Sequence, residues 1–363
     1  MTIVASTHEI VRPKSASLGV GFEVAPASPA GRWDGAPPTW RQVLKAAIRD
    51  PAELCRRLEL SAELIAPARR AAAAFPLFVP EPYLSRIRRG DPTDPLLRQV
   101  LPLDAELDEV AGYTSDPVGD AAAKTSAGML QKYAGRALLI TTGACAVHCR
   151  YCFRRHFPYS ESPSGIEAWT PAIEQIAADA TLNEVILSGG DPLTLSDEFL
   201  AQLAGRIAAI PHIRRLRVHT RLPIVVPQRV TAGLIAALGG TRLAAIVVVH
   251  ANHPREIDDH VAESLRSMAD AGIVLLNQAV LLRSVNDDLQ SLAELSRRLV
   301  DHRVMPYYLH QLDAVAGAAH FYVPVERGRE LIAALQAMLP GYAVPRYVQE
   351  IPGAVSKTPL GQA

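Results

Sequence analysis

Cysteine is scarce in this chain, which has four in 363 residues. Three of them, Cys145, Cys149 and Cys152, lie within eight positions, and the fourth, Cys55, stands alone in a helical pattern. Such spacing excludes the disulfide framework of a small secreted protein, and in a reducing compartment clustered cysteines bind metal or act in redox chemistry. We interpret Cys55 as a small buried hydrophobic residue.

The sequence also lacks an excess of charge and a long apolar run. Its 37 basic and 37 acidic residues balance, which argues against a nucleic-acid binder or a membrane-surface protein. No apolar run approaches the roughly 20 residues that span a bilayer, and the N-terminus has no apolar stretch of the secretory type. We therefore expect a cytoplasmic protein with neither a membrane nor a nucleic acid as partner.

Composition and periodicity divide the chain into four segments. Residues 1–37 mix Gly, Pro, Ala and Ser without periodicity, which predicts a flexible leader. Apolar residues at helical spacing predict an N-terminal helical subdomain over residues 38–125. Residues 126–340 alternate between strand-like and helix-like patterns, and residues 341–363 form a C-terminal segment.

Six short β-branched or apolar runs predict six strands, at residues 137–141, 184–188, 216–220, 245–250, 273–278 and 305–310. Helix-like segments separate the runs, as in βαβ units with a parallel sheet. The predicted fold class is α/β, a partial (β/α)6 barrel with an N-terminal helical subdomain. Polar residues follow the strands, where such folds carry their active sites, so we expect one edge of the sheet to hold the chemistry.

The spacing C-x3-C-x2-C supplies three soft thiolate ligands, which suit zinc or an iron–sulfur cluster. A structural zinc site needs a fourth ligand, and His148 or His156 could provide it. A [4Fe–4S] cluster held by three cysteines leaves one iron open to a small molecule. The other polar groups gathered at the same edge favour the cluster. The neighbouring Arg155 is interpreted as facing solvent.

The three cysteines after the first strand of a partial (β/α)6 barrel resemble the radical S-adenosylmethionine superfamily. The resemblance implies that the open iron binds S-adenosylmethionine, whose reductive cleavage gives a 5′-deoxyadenosyl radical. An electron donor for the cluster is implied as well. The superfamily's glycine-rich motif after the second strand matches Ser188, Gly189, Gly190 and Asp191, while His219 and Gln278 lie at strand ends where these enzymes contact S-adenosylmethionine.

Over about residues 90 to 360 the chain resembles the lysine 2,3-aminomutases. In that family a lysine at the position of Lys357, in "EIPGAVSKTPL", forms a Schiff base with pyridoxal 5′-phosphate. Lys132, Tyr133 and Arg136 match the family's pyridoxal-phosphate contacts, although Lys132 replaces an arginine and "GAVSK" replaces a run of glycines. The reaction implied moves the amino group of lysine from C2 to C3.

The same resemblance implies three substrate contacts. Arg154 matches the arginine that binds the substrate carboxylate, a group that a guanidinium fork fits. Asp313 and Glu350 match the acidic pair that holds the side-chain ammonium of L-lysine, and two carboxylates there would repel a glutamate side chain. Glu350 replaces the more usual aspartate, so the reach of the pocket differs.

Within the family, "LLITTGACAVHCRYCFRRHFPY" and "PYYLHQLDAVAGAAHF" resemble the branch that makes (R)-β-lysine for elongation factor P. That branch implies a functional link to elongation factor P and to its lysyl ligase. No cysteine follows Cys152, so a homo-oligomer would lack the intersubunit zinc of the larger lysine mutases. Two alternatives stay open: an aminomutase that makes free β-lysine as a metabolite, and a non-catalytic iron–sulfur or zinc binding module.

Overall fold

The computed structural model describes residues 38–126 and 128–361, and the predicted leader at residues 1–37 lies outside them. One apolar core runs through the described part of the chain: Leu54, Leu139 and Leu203 all belong to it, although they lie far apart in sequence. The segment boundaries at residues 125/126 and 340/341 stay predictions. No helix among the described residues is long and apolar enough to cross a membrane.

The helices fall into a group before the sheet and a group that alternates with its strands. The first group comprises α1 (Trp40–Lys45), α2 (Pro51–Arg57), α3 (Ile65–Ala74), α4 (Glu81–Leu84) and α5 (Pro95–Arg98). The second comprises α6 (Thr170–Ala178), α7 (Asp197–Ala208), α8 (Leu222–Val225), α9 (Ala232–Gly239), α10 (Asp259–Asp270), α11 (Leu289–Asp301) and α12 (Val325–Met338). Ser196, Asp258 and Asp288 cap α7, α10 and α11 by accepting hydrogen bonds from the backbone of the first turn.

Within the described residues one sheet contains ten strands in sequence order. The strands are β1 (Lys124–Ser126), β2 (Met129–Leu130), β3 (Arg136–Ile140), β4 (Glu184–Ser188), β5 (Arg215–Thr220), β6 (Ala244–Val249), β7 (Val274–Val280), β8 (Val304–His310), β9 (Arg346–Gln349) and β10 (Thr358–Pro359). Neighbours from β3 to β9 pair in parallel, whereas β1, β2 and β10 pair antiparallel at the two ends. The predicted α/β partial barrel is confirmed, and the six predicted strands are β3 to β8.

Alternation along the strands separates an apolar face from a polar face. In β5, Leu216 and Val218 belong to the core shared with the helices, so Arg217 and His219 face the inside of the barrel. In β7, Leu275 belongs to that core, and Gln278 therefore lies on the inner face. The inner face thus carries polar and ionisable groups that the helix-facing core excludes.

Candidate active site

The loop that follows β3 carries the three clustered cysteines and packs against the glycine-rich turn after β4. Gly190 N–H donates to the Thr142 carbonyl at 2.7 Å, and Asp191 N–H donates to the Ala144 carbonyl at 2.7 Å. A Cβ on Gly190 would lie 2.3 Å from the Ala144 carbonyl oxygen, so only glycine allows this approach. The two loops hold each other in place immediately before Cys145.

The thiols of this loop lie in a half-buried and partly cationic setting. Burial and the neighbouring Cys152 raise the pKa of Cys145 well above its usual value, while burial and Cys149 raise the pKa of Cys152 to about 11. Arg221 donates from Nη1 to Cys149 Sγ at 2.7 Å. Because metals bind thiolates, metal uptake by these groups must release protons.

The two histidines that could complete a zinc site are engaged elsewhere. His148 Nδ1 lies 2.8 Å from the Pro76 carbonyl oxygen, and the ring stacks on Phe75. His156 Nε2 lies 3.1 Å from the Ala316 carbonyl oxygen. Across residues 38–126 and 128–361, no three His, Cys, Asp or Glu side chains are arranged to hold one metal ion.

A buried polar network lies behind the cysteine loop, and no spacing in the sequence marked it. Glu256 is 0% exposed and pairs with Arg221 Nη2 at 2.8 Å. Gln99 Nε2 and the backbone N–H of Asn252 also donate to Glu256, at 3.1 and 2.9 Å. Glu256 therefore neutralises and orients the arginine that contacts Cys149, as a buried charge pair requires.

Glu106 is a second carboxylate that sequence reasoning missed. It accepts from Arg155 Nη2 at 2.8 Å and from Arg150 Nε at 2.8 Å, and both arginine side chains are buried. The interpretation of Arg155 as a solvent-facing residue is wrong, because its side chain is only 2% exposed. These pairs attach the cysteine loop to the segment after α5.

Cys55, the cysteine outside the cluster, is buried as predicted, at 1% exposure.

A continuous chain of ion pairs joins four of the predicted site residues. Lys357 Nζ contacts Glu350 Oε2, and Glu350 Oε1 accepts from Lys132 Nζ at 2.8 Å. Lys132 Nζ lies 2.6 Å from Asp120 Oδ1, at an angle outside hydrogen-bond geometry, and Asp120 Oδ2 accepts from Arg154 Nε at 2.7 Å. Residues separated by more than 200 positions in sequence thus share one site.

Asp120 joins the predicted residues although no pattern in the sequence indicated it. Its segment, "SDPVGD", has the residues of an ordinary turn. Burial would raise the pKa of Asp120, but Arg154 and Lys132 together hold it below its usual value. Burial likewise opposes ionisation of Glu350, yet Lys357 and Lys132 lower its pKa to about 2. Both carboxylates are therefore charged.

Asp313 follows β8 and behaves differently from the other carboxylates. Burial and the nearby Glu350 carboxylate raise the pKa of Asp313 to about 7, although Lys357 and Lys132 act in the opposite direction. Asp120 raises it further. The two carboxylates predicted to form an acidic pair therefore divide into one that is charged and one that titrates near neutrality, because like charges disfavour joint ionisation.

The remaining predicted residues lie on the inner face of the sheet or at its ends. Ser188 Oγ accepts from Arg154 Nη1 at 3.0 Å, which ties the end of β4 to the ion-pair chain. Asp191 instead accepts from Thr220 Oγ1 at 2.7 Å and from the Arg221 backbone N–H at 2.7 Å, so its carboxylate joins the ends of β4 and β5. Lys132 also donates to a backbone carbonyl, that of Val118, at 2.8 Å.

Three inward-facing side chains have a buried nitrogen without a hydrogen-bond partner among the described residues. These nitrogens are His219 Nε2, Arg136 Nε and Arg217 Nε. Burial and the neighbouring cations keep the pKa of His219 well below its usual value, so the imidazole is neutral. The guanidinium of Arg136 lies 4.9 Å from the ring of Tyr133, whose pKa burial and Glu350 raise to about 12. Unpartnered buried polar atoms are uncommon, so those on the inner face are candidates to bind a ligand.

Comparison with known proteins identifies the family. No family model matches the sequence. A protein of Escherichia coli (strain K12) named L-lysine 2,3-aminomutase is 46% identical over 323 residues, 88% of this chain and 94% of that protein. A protein of Clostridium subterminale with the same name is 35% identical over 322 residues, 88% of this chain and 77% of that protein. The chain belongs to the lysine 2,3-aminomutase family. The family membership expected from the sequence is confirmed.

Solved structures give lower similarity than these members of the lysine 2,3-aminomutase family. Streptococcus suis SuiB matches with a TM-score of 0.46 and 13% identity, over 60% of this chain and 50% of that one. A radical SAM methyltransferase from Sphaerobacter thermophilus matches with a TM-score of 0.43 and 19% identity, over 61% of this chain and 68% of that one.

Proposed function

We propose that the chain is a radical S-adenosylmethionine and pyridoxal-phosphate-dependent lysine 2,3-aminomutase. It would convert (S)-α-lysine to (R)-β-lysine in the cytoplasm, where thiols stay reduced. The observation that carries this proposal is the ion-pair chain from Lys357 to Arg154, since it puts an amine, carboxylates and a guanidinium within reach of one small molecule. The two relatives described above, both named L-lysine 2,3-aminomutase, support the choice of reaction.

The charges of the site suit both ends of a lysine molecule. Arg154, at the Ser188 end of the chain of ion pairs, offers N–H groups to an α-carboxylate. Glu350 and Asp313 offer carboxylates to a side-chain ammonium. In the free protein the ammonium of Lys357 occupies one oxygen of Glu350, so the protein's own lysine takes the place that the substrate's distal amine would take.

The residues present also fit the cofactors that the family implies. Cys145, Cys149 and Cys152 would hold a [4Fe–4S] cluster, with Arg221 donating to a cluster sulfur ligand as it does to Cys149 Sγ. Such a cluster, reduced by an electron donor, would supply reductive cleavage of S-adenosylmethionine. Backbone at Gly189 and Gly190 lies beside the cysteine loop, where the amino group of S-adenosylmethionine would bind.

Lys357 would hold pyridoxal 5′-phosphate through its side-chain amine, and the cofactor would supply delocalisation of an unpaired electron. The unpartnered Nε of Arg136 favours this arginine for the phosphate, because Lys132 Nζ is already surrounded by three oxygens. His219 and Gln278, on the inner face, would line the space between the two cofactors.

The test is an anaerobic product assay. The reconstituted protein, with pyridoxal phosphate, S-adenosylmethionine, dithionite and L-lysine, is expected to form (R)-β-lysine, resolved by chiral chromatography. Cys149→Ala is expected to abolish both 5′-deoxyadenosine and β-lysine. Formation of 5′-deoxyadenosine without β-lysine would show that the substrate is wrong. If neither product forms while the cluster is intact, the binding-module alternative replaces the enzyme.

The link to elongation factor P needs a separate experiment. The product of the assay and L-lysine are offered at equal concentration to elongation factor P and its lysyl ligase, and the attached isomer is identified after hydrolysis. Preferential attachment of the product supports the translation-linked role. Equal or lower attachment of the product would favour an aminomutase that makes free β-lysine.

The raised pKa of Asp313 predicts that the affinity for L-lysine depends on pH. Below about pH 7 Asp313 is protonated and contributes no charge to the ammonium site. Binding of a cation must then expel a proton, so the affinity is expected to rise with pH by up to about tenfold per unit and to level off above pH 7. The measurement is calorimetric titration of L-lysine from pH 5.5 to 8.5, without S-adenosylmethionine.

The control for this titration is Asp313→Asn, which keeps the shape and removes the titrating group. Imine formation and the substrate's own amines also depend on pH, and they do so equally in both proteins. The slope attributable to Asp313 is therefore the difference between the two curves. Curves that run parallel across the whole range would show that Asp313 does not face the bound ammonium.

A further inference from the structure

We propose that Asp120 is a positioning residue that fixes the guanidinium of Arg154 for the α-carboxylate of the amino-acid substrate. This inference rests on the proposed function and deepens it, because it explains how one arginine can distinguish an α-amino acid from the corresponding diamine. The carboxylate of Asp120 would act through Arg154 and would not touch the substrate.

Two hydrogen bonds hold the guanidinium of Arg154 in one orientation. Asp120 Oδ2 accepts from Arg154 Nε at 2.7 Å, and Ser188 Oγ accepts from Nη1 at 3.0 Å. A guanidinium has five N–H donors, so the second N–H of Nη1 and both of Nη2 remain for a ligand. Arg154 is also buried, which leaves its side chain few other rotamers.

Asp120 is itself held rigidly before any ligand arrives. It is 2% exposed, and Asp116 accepts from the backbone N–H groups of Asp120 and Ala121 at 2.8 and 3.0 Å. A Cβ on Gly119, where φ is +68°, would lie 3.3 Å from Pro352 Cβ, so this turn packs against the segment that leads to Lys357. A group fixed in advance costs less conformational entropy when the ligand binds.

The charge of Asp120 acts at the carboxylate end of the site. Its other oxygen lies 2.6 Å from Lys132 Nζ, so one carboxylate serves both cations. Without the charge of Asp120, Glu350 is the charged carboxylate that remains near Lys132 and Arg154. Glu350 keeps Lys132 and Lys357 as partners, so Arg154 loses its fixed orientation while the carboxylate assigned to the substrate ammonium stays in place.

The experiment compares two ligands on one protein preparation. L-lysine and 1,5-diaminopentane share both amines, but only L-lysine has the α-carboxylate. Dissociation constants are measured by calorimetry with the pyridoxal-phosphate-loaded protein, without S-adenosylmethionine. Asp120→Asn is expected to weaken L-lysine binding about tenfold or more, which corresponds to about 1.4 kcal/mol, and to leave diaminopentane binding nearly unchanged. The ratio of the two dissociation constants, measured on one preparation, does not depend on the fraction of protein that is folded.

The matched control is Asp104→Asn, which breaks the exposed pair between Asp104 and Arg70 at 2.5 Å and should leave the ratio unchanged. In an Arg154→Lys background, Asp120→Asn is expected to have little further effect on this ratio, because the guanidinium that Asp120 positions is already absent. If Asp120→Asn does not fold, Asp120→Glu is judged by the same ratio, because one extra methylene displaces the carboxylate.

Equal weakening of both ligands would overturn the proposal, because a purely structural role would affect the whole site. An unchanged ratio in Asp120→Asn, or an undiminished effect in the Arg154→Lys background, would overturn it as well. Failure of the proposed function has a different signature: the unmodified protein would then bind neither ligand, or it would form no imine band with pyridoxal phosphate.

Discussion

Replacing Lys357 with alanine is expected to abolish the imine absorbance band of the pyridoxal-phosphate-loaded protein and all formation of β-lysine. Under the proposed function the side-chain amine of Lys357 bonds to the cofactor aldehyde, and no other atom of the residue could replace it. The variant should fold, since Glu350 keeps Lys132 as a partner at 2.8 Å. The measurement is the absorbance spectrum of the loaded protein before and after reduction with borohydride.

The control is Lys124→Ala, which removes a lysine that pairs with Glu161 at the exposed edge of the sheet. This control should retain the band and the activity. A band that persists in Lys357→Ala would show that another amine binds the cofactor, and Lys132, which shares Glu350 with Lys357, would then be the first residue to examine. Mass mapping of the reduced adduct identifies the modified lysine directly.

Replacing Gly190 with alanine is expected to destabilise the protein and to prevent normal cluster loading. The new Cβ would lie 2.3 Å from the Ala144 carbonyl oxygen and 2.7 Å from the Gly143 carbonyl carbon, both of them backbone atoms beside Cys145. Backbone cannot rotate away as a side chain can, so the loop must shift, at a cost of about 1–3 kcal/mol. Thermal melting and iron content per chain after reconstitution measure the two effects.

The matched control is Gly205→Ala, since a Cβ at that position in the interior of α7 meets nothing within 4 Å. Alanine is expected to stabilise the helix there by about 0.5–1 kcal/mol, because glycine has more conformational freedom to lose. The two glycines should therefore respond in opposite directions to the same substitution. Full iron loading and an unchanged melting temperature in Gly190→Ala would contradict the proposed packing of the loops.

The parts of the fold that could be predicted are those that a local pattern of residue types indicates. The runs that became β3 to β8 are long enough to show β-branched and apolar enrichment, and they were placed to within a residue or two. Strands β1, β2, β9 and β10 have two to four residues each and were missed. Such short segments become strands only because a neighbouring strand offers hydrogen-bond partners.

The candidate site was predicted as a set of residues, and the structure adds how they are connected. The spacing of Cys145, Cys149 and Cys152 and the segment around Lys357 are local signals that the sequence carries directly. The carboxylates that orient the arginines, Asp120 and Glu256, have no such signal, since their partners Arg154 and Arg221 lie 34 and 35 positions away in sequence.

The sequence by itself determined the α/β class and the cysteine cluster, because periodicity and motif spacing are properties of short stretches, and its resemblance to known proteins indicated the family and the candidate lysine. Only the tertiary structure decided which charges neutralise one another. The energy of an ion pair falls with the distance between the charges, so strong pairs need separations of a few ångströms. Such short separations exist only after folding has brought the strand ends together. For the same reason, the difference in ionisation between a charged Glu350 and an Asp313 that titrates near pH 7 could not be deduced from the order of residues.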